Sequence, residues 1–146
     1  MSSTVNFTKR PVNASQKFEI GDTTTLKALN TAFAQAGDFD GGGVMTAMYI
    51  TNDDDTNPCW VQIHRTIGGT DFLLATVYVP AKSGLDDTAS HVEPLDVLNL
   101  GLFGSSLNHN NQYELPMDEA IIYKVGMLAT VGAGKTVTVN ADFKKY

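Results

Sequence analysis

From Val44 onward the apolar residues of this chain recur with period two, in short runs that end at clusters of Gly, Pro, Asn and Asp. Successive side chains of a strand point to opposite faces, so this period sets one row against a core and the other in water. The clearest case is Thr136 to Phe143, where Val137, Val139, Ala141 and Phe143 alternate with Thr136, Thr138, Asn140 and Asp142. The same reading predicts strands at Val44 to Ile50, Cys59 to Arg65, Phe72 to Val79, Leu95 to Leu102 and Ala120 to Val131. Turn chemistry falls between them, at Asn52 to Pro58, Gly68 to Asp71, Pro80 to Thr88, Asn108 to Gln112 and Gly132 to Gly134. Six or more alternating strands with short polar connections predict an all-β, single-domain antiparallel β-sandwich over residues 18–146, with a jelly roll as the expected winding.

Length and charge narrow the function. A chain of 146 residues can bury about two-thirds of the surface it exposes when unfolded, so it needs no staple to fold. Its lone cysteine, Cys59, has no partner for an internal disulfide or a cysteine-based zinc site. With 16 acidic against 10 basic residues the net charge is −6, which argues against direct nucleic-acid binding and against acidic partners. No stretch approaches the about 20 apolar residues of a membrane span, and the first residues carry no secretory pattern, so a soluble, cytoplasmically made protein is expected.

The charge is uneven. Residues 1–17 hold Lys9, Arg10 and Lys17 and no acid, so this segment is +3 and the remainder −9. Rich in Ser, Thr and Asn and lacking a sustained apolar period, it reads as an extended or mobile N-terminal arm that docks on a neighbouring subunit or on the surface of an assembly. Thr23 to Ala36 leaves two readings open. Leu26, Leu29, Phe33 and Ala36 form a helical stripe behind an Asp22 cap, whereas the β-branched start at Thr23 and the all-β surroundings favour a strand.

The strings that resemble chemical motifs have plainer readings. Gly132-Ala133-Gly134-Lys135-Thr136 ends like a phosphate-binding loop, but Ala129 stands where that loop requires Gly and a strand follows where it requires a helix, so a hairpin turn is expected. Asp53, Asp55 and Asn57 have the spacing of a calcium loop, but Pro58 and His64 occupy the positions of its Gly and Glu, and a solvated turn is the default. His64, His91 and His109 form no metal-ligand pair in sequence. No nucleophile elbow surrounds Ser83 or Ser105, and Cys59 reads as a buried structural thiol beside Val61 and Ile63. No cofactor and no enzymatic activity are expected.

One feature rises above this background. On the strand from Cys59 to Arg65 the wet face carries Trp60, Gln62 and His64, which places the only tryptophan among polar neighbours as an anchor for a partner. With Lys9, Arg10 and Lys17 of the arm, these are the candidate interface residues.

The run Gly43 to Asp54, the strand with Trp60 and Val61, the segment Tyr123 to Leu128 and the terminal strand Lys135 to Val139 together resemble the small jelly-roll head decoration, or cement, proteins of tailed bacteriophages. The resemblance spans Phe18 to Tyr146. It implies a virion component on the outer capsid surface, a homotrimer bound to the major capsid protein, that stabilises the shell without catalysis. It also implies that Thr23 to Ala36 is partly extended. Alternatives are a phage tail, neck or head-fibre base protein, and a carbohydrate-binding β-sandwich module that uses Trp60 and Tyr78 with the Asn- and Asp-rich loops.

Overall fold

The computed structural model describes residues 10–19, 22, 25–29, 43–95, 114–117 and 121–145. Eight strands follow in chain order: β1 (Arg10–Phe18), β2 (Lys27–Ala28), β3 (Gly43–Asn52), β4 (Cys59–Ile67), β5 (Thr70–Val79), β6 (Leu115–Met117), β7 (Ile121–Met127) and β8 (Val137–Lys145). They form two antiparallel four-stranded sheets, in the orders β1-β8-β3-β6 and β2-β7-β4-β5. The pairs β4·β5, β3·β6, β2·β7 and β1·β8 nest about one tip, as in a single long antiparallel ribbon wound so that its rungs alternate between sheets. Among the described residues there is no helix long and apolar enough to cross a membrane.

The tip of that ribbon is the two-residue turn Gly68-Gly69, with φ of 59° and 80°. Two consecutive positive φ values give a hairpin twist that matches the strands, and glycine adopts them without a Cβ clash. The core lies between the sheets, with Met45, Met48, Ile50, Val139 and Phe143 on one side and Val61, Ile63, Val77, Val79 and Val125 on the other. The predicted strands at Val44 to Ile50, Cys59 to Arg65, Phe72 to Val79, Ala120 to Val131 and Thr136 to Phe143 each contain or overlap a strand of the structure. Leu95 is buried in a turn, while the rest of Leu95 to Leu102, the Asn108 to Gln112 turn with His109, and Phe33 to Asp40 lie outside the described residues.

Two expectations change. Residues 10–17, counted with the arm, form β1 together with Phe18 and pair with β8 in nine register positions, so the sheet continues across the boundary expected after residue 17. A ladder is made by backbone groups, which a stretch without apolar alternation supplies equally well. Phe18 is fully buried and adds about 1.5–3 kcal/mol of apolar burial. The Gly132 to Thr136 turn is present, closed by the Lys135 amide donating to the Gly132 carbonyl at 3.0 Å. It is not a hairpin, because β7 and β8 lie in different sheets and the connection crosses the sandwich.

Within Thr23 to Ala36, the described Lys27–Ala28 is extended and pairs with Val125 and Lys124 of β7. Leu29 is buried and its amide donates to the Tyr123 carbonyl at 2.7 Å. Leu26 lies over Gly126, where an added Cβ would come within 2.7 Å of Leu26 Cδ2, so this crossing uses the missing side chain.

Candidate functional site

The outward face of the sheet β2-β7-β4-β5 carries the two largest exposed apolar side chains, Trp60 and Tyr78, with polar neighbours. Trp60 and Tyr78 are register partners on β4 and β5, with ring centroids 5.3 Å apart and planes inclined by 59°. They remain 40% and 52% exposed. Beside them the Leu128 amide donates to the Trp60 carbonyl at 3.1 Å, and the Leu128 side chain is exposed. Tilted aromatic pairs of this kind usually add about 0.5–1.5 kcal/mol, and here most of that surface is still open to a partner.

Gln62 and His64 continue the row, opposite Gly126 and Lys124 of β7. The structure therefore brings Trp60, Gln62 and His64 onto one face. His64 is half-buried, and both ring nitrogens are shielded from water with no hydrogen-bond partner among the described residues. Next to it Thr66 donates to the Asp71 carboxylate, which also meets Lys124 Nζ at 3.3 Å. The Thr66 hydroxyl and, secondarily, Lys124 hold the Asp71 carboxyl below its ordinary range.

Leu73 was not singled out by alternation, and its place follows from a bulge. Counting back by two from Tyr78 puts Leu74 outward, but the β4·β5 register shifts between Ile63 and His64. Leu74 packs against the core instead, and Leu73, opposite His64, is 54% exposed. Leu128 also joins the face from just beyond the end of β7, where no strand period announces it.

The basic candidates lie elsewhere. Arg10 and Lys17 sit at opposite ends of β1, in the other sheet, and Lys17 Nζ is 2.9 Å from Glu19 Oε1. Lys9 lies outside the described residues. The aromatic row and the basic residues are thus separate features.

The Asp53 to Asn57 loop, weighed above for calcium, is held by internal bonds. Asn52 is buried, donates from Nδ2 to the Asn57 carbonyl at 3.0 Å, and accepts from the Asp54 amide at 3.0 Å. Asp54 Oδ1 accepts from the amides of Thr56 at 2.9 Å and Asn57 at 3.0 Å, and these bonds hold its carboxyl below the usual range. Asp55 pairs with Lys135 Nζ at 3.4 Å. Among the described residues no group of three or more His, Cys, Asp or Glu side chains is placed to share a metal ion.

A cleft of about 150 Å³ lies beside Asn52, Asp54, Cys59 and Gly132. Ligand pockets usually run to about 300 Å³ or more, so the cleft is too small for a sugar or nucleotide. Burial, then the nearby Asp54 charge, pushes the Cys59 thiol up to about 12, and it is protonated at neutral pH. Ser83 is buried and donates to the Pro80 carbonyl at 2.7 Å. His91 is 3.0 Å from Glu93 Oε1 and packs edge-on against Tyr49, on the opposite sheet from His64.

The chain matches no protein-family model, no curated protein and no solved structure.

Proposed function

We propose that this chain is a non-enzymatic virion structural protein, a capsid decoration protein that bridges neighbouring major capsid subunits from the outer surface of the shell. The observation that carries this reading is the half-exposed Trp60–Tyr78 pair with Leu73 and Leu128 on one outward sheet face. Exposed aromatic anchors ringed by polar groups are the side chains that dominate interface energies. The nested pairing of the eight strands supports the jelly-roll part of the resemblance. A protein that binds only the assembled shell stabilises it by mass action, with no chemical step.

Mass spectrometry of purified particles, followed by rebinding of wild-type and Trp60→Ala protein to stripped capsids, tests this. The chain is expected on the particles, and the substitution is expected to weaken attachment at least tenfold, the effect of losing about 1.4 kcal/mol. Absence from particles, or equal rebinding of the two proteins, overturns the reading.

The same exposed aromatic pair favours a second reading, an aromatic contact for a sugar ring. Against it, Asp53, Asp54, Asp55 and Asn57 in the adjoining loop are engaged by protein partners rather than converging on the pair. Glycan-array binding that is lost in Trp60→Ala, without particle association, would select this reading.

A further inference from the structure

Four strands bound the two sheets, and three of them carry the usual guards against pairing with another chain. β1 contains Arg10, Pro11 and Lys17; β6 has three residues including Pro116; β2 has two, one of them Lys27. Charge, proline and shortness all discourage a strand from adding to such an edge. β5 differs. It is ten residues long, Phe72 to Ala81 contains no charged side chain, and no described strand pairs with its outer edge.

We propose that β5 is the pairing edge of a two-fold dimer, in which β5 of one copy runs antiparallel beside β5 of a second copy and joins their sheets into one. The burial pattern of β5 selects the register. With the two-fold axis at Val77, Ala75 lies opposite the partner's Val79 and Thr76 opposite the partner's Tyr78. Ala75, Val77 and Val79 face the core, and Thr76 and Tyr78 face outward, so every pair joins like with like, as a continuous sheet requires. The same axis sets the Leu74 bulge opposite the partner's Pro80, which has no amide to donate, and the ladder ends there on both sides. A two-fold contact repeats each of these pairs, so one edge serves both copies.

Charge also favours a second copy as the occupant. Two chains that each carry −6 repel at encounter, and a seam free of charge is the one through which they can meet. Half-exposed Tyr78 on β5, with Trp60 beside it on β4, flanks the seam and gives it an apolar contact on its outward face. A standard interface uses about 800 Å² per partner, and this narrower edge contact is expected to be weak. The pairing does not depend on the capsid reading.

Sedimentation of the full chain in buffer alone, from about 1 to 100 µM, tests it. The mass is expected to rise from 15.7 kDa to twice that value, with added hydrogen-exchange protection confined to Ala75 to Val79. Thr76→Lys on the exposed face sets two like charges about 7–8 Å apart across the axis and is expected to raise the dissociation constant at least tenfold. Its unfolding midpoint at micromolar concentration or below should match the wild type, which separates lost pairing from lost folding. A chain that stays monomeric throughout, a mass three times the monomer, or a Thr76→Lys protein that associates like the wild type overturns the proposal.

Discussion

Asp53 and Thr136, 83 residues apart, are joined by two hydrogen bonds: the Thr136 amide donates to Asp53 Oδ1 at 2.6 Å, and the Asp53 amide donates to the Thr136 carbonyl at 3.2 Å. This clasp ties the connection after β3 to the entry of β8 at one end of the sandwich. The acidic loop is therefore a structural fastener, and its side chains act on stability.

Asp53→Ala removes the charge-assisted half of that clasp and leaves the partly buried Thr136 amide without its acceptor. A loss of about 1–3 kcal/mol is expected, and Asp53→Asn, which keeps an acceptor, should lose less. Denaturant titration of the three proteins checks the order; equal midpoints for wild type and Asp53→Ala would show that the clasp contributes nothing.

Acid should weaken the fold through Asp54. Its folded-state pKa lies below the ordinary 3.8 because the amides of Asn57 and Thr56 stabilise the carboxylate. A depressed carboxylate contributes stability above the unfolded value, and this is lost as pH falls from there through the folded pKa. The thermal midpoint should therefore drop below about pH 4, and in Asp54→Asn the drop should be shallower. A pH series of melting curves on both proteins measures the difference; identical slopes would remove Asp54 from the account.

Cys59 should be nearly inert while the protein is folded. A thiol pushed from 9.0 up to about 12 carries about a thousandfold less thiolate at a given pH. Alkylation at neutral pH should be slower than in the denatured chain by at least that order, and rapid labelling of the native protein would contradict the burial of the site.

Deleting residues 1–17 should lower the unfolding midpoint strongly, since it removes β1, strips one edge of β8 and disturbs the seat of Phe18. The loss expected is several kcal/mol, and any loosening of Phe18 adds to it a part of the about 1.5–3 kcal/mol of its burial. Circular dichroism melts of the full and shortened chains provide the measurement. An unchanged midpoint would mean that β1 is dispensable to the sandwich.

Much of the sandwich is legible in the chain because alternation reports which face of a strand is buried. Val61 and Ile63 are inward and Trp60 is outward, as their spacing requires, and Val137 to Phe143 keep the same alternation without interruption. Trp60, Gln62 and His64 share a face for the same reason. Alternation fails at Leu73 and Leu74, where one bulged residue exchanges the inward and outward rows, and no local pattern marks the bulge. It is also silent for β1, whose pairing is made by backbone groups common to every residue but proline.

By itself the sequence determined that this chain is an all-β sandwich, with its only tryptophan on the wet side of a strand and, among the described residues, turns at Gly68-Gly69 and at Gly132 to Gly134. Only the tertiary structure decided which strands share a sheet. It brought Tyr78, Leu73 and Leu128 around Trp60, carried Gly132 to Thr136 across the sandwich rather than back on itself, and, among the described strands, left β5 as the one long edge without charge or proline in its final eight residues. The division is physical: a side-chain period is a local record of burial, whereas pairing partners, bulges and free edges depend on backbone contacts between residues far apart in the chain.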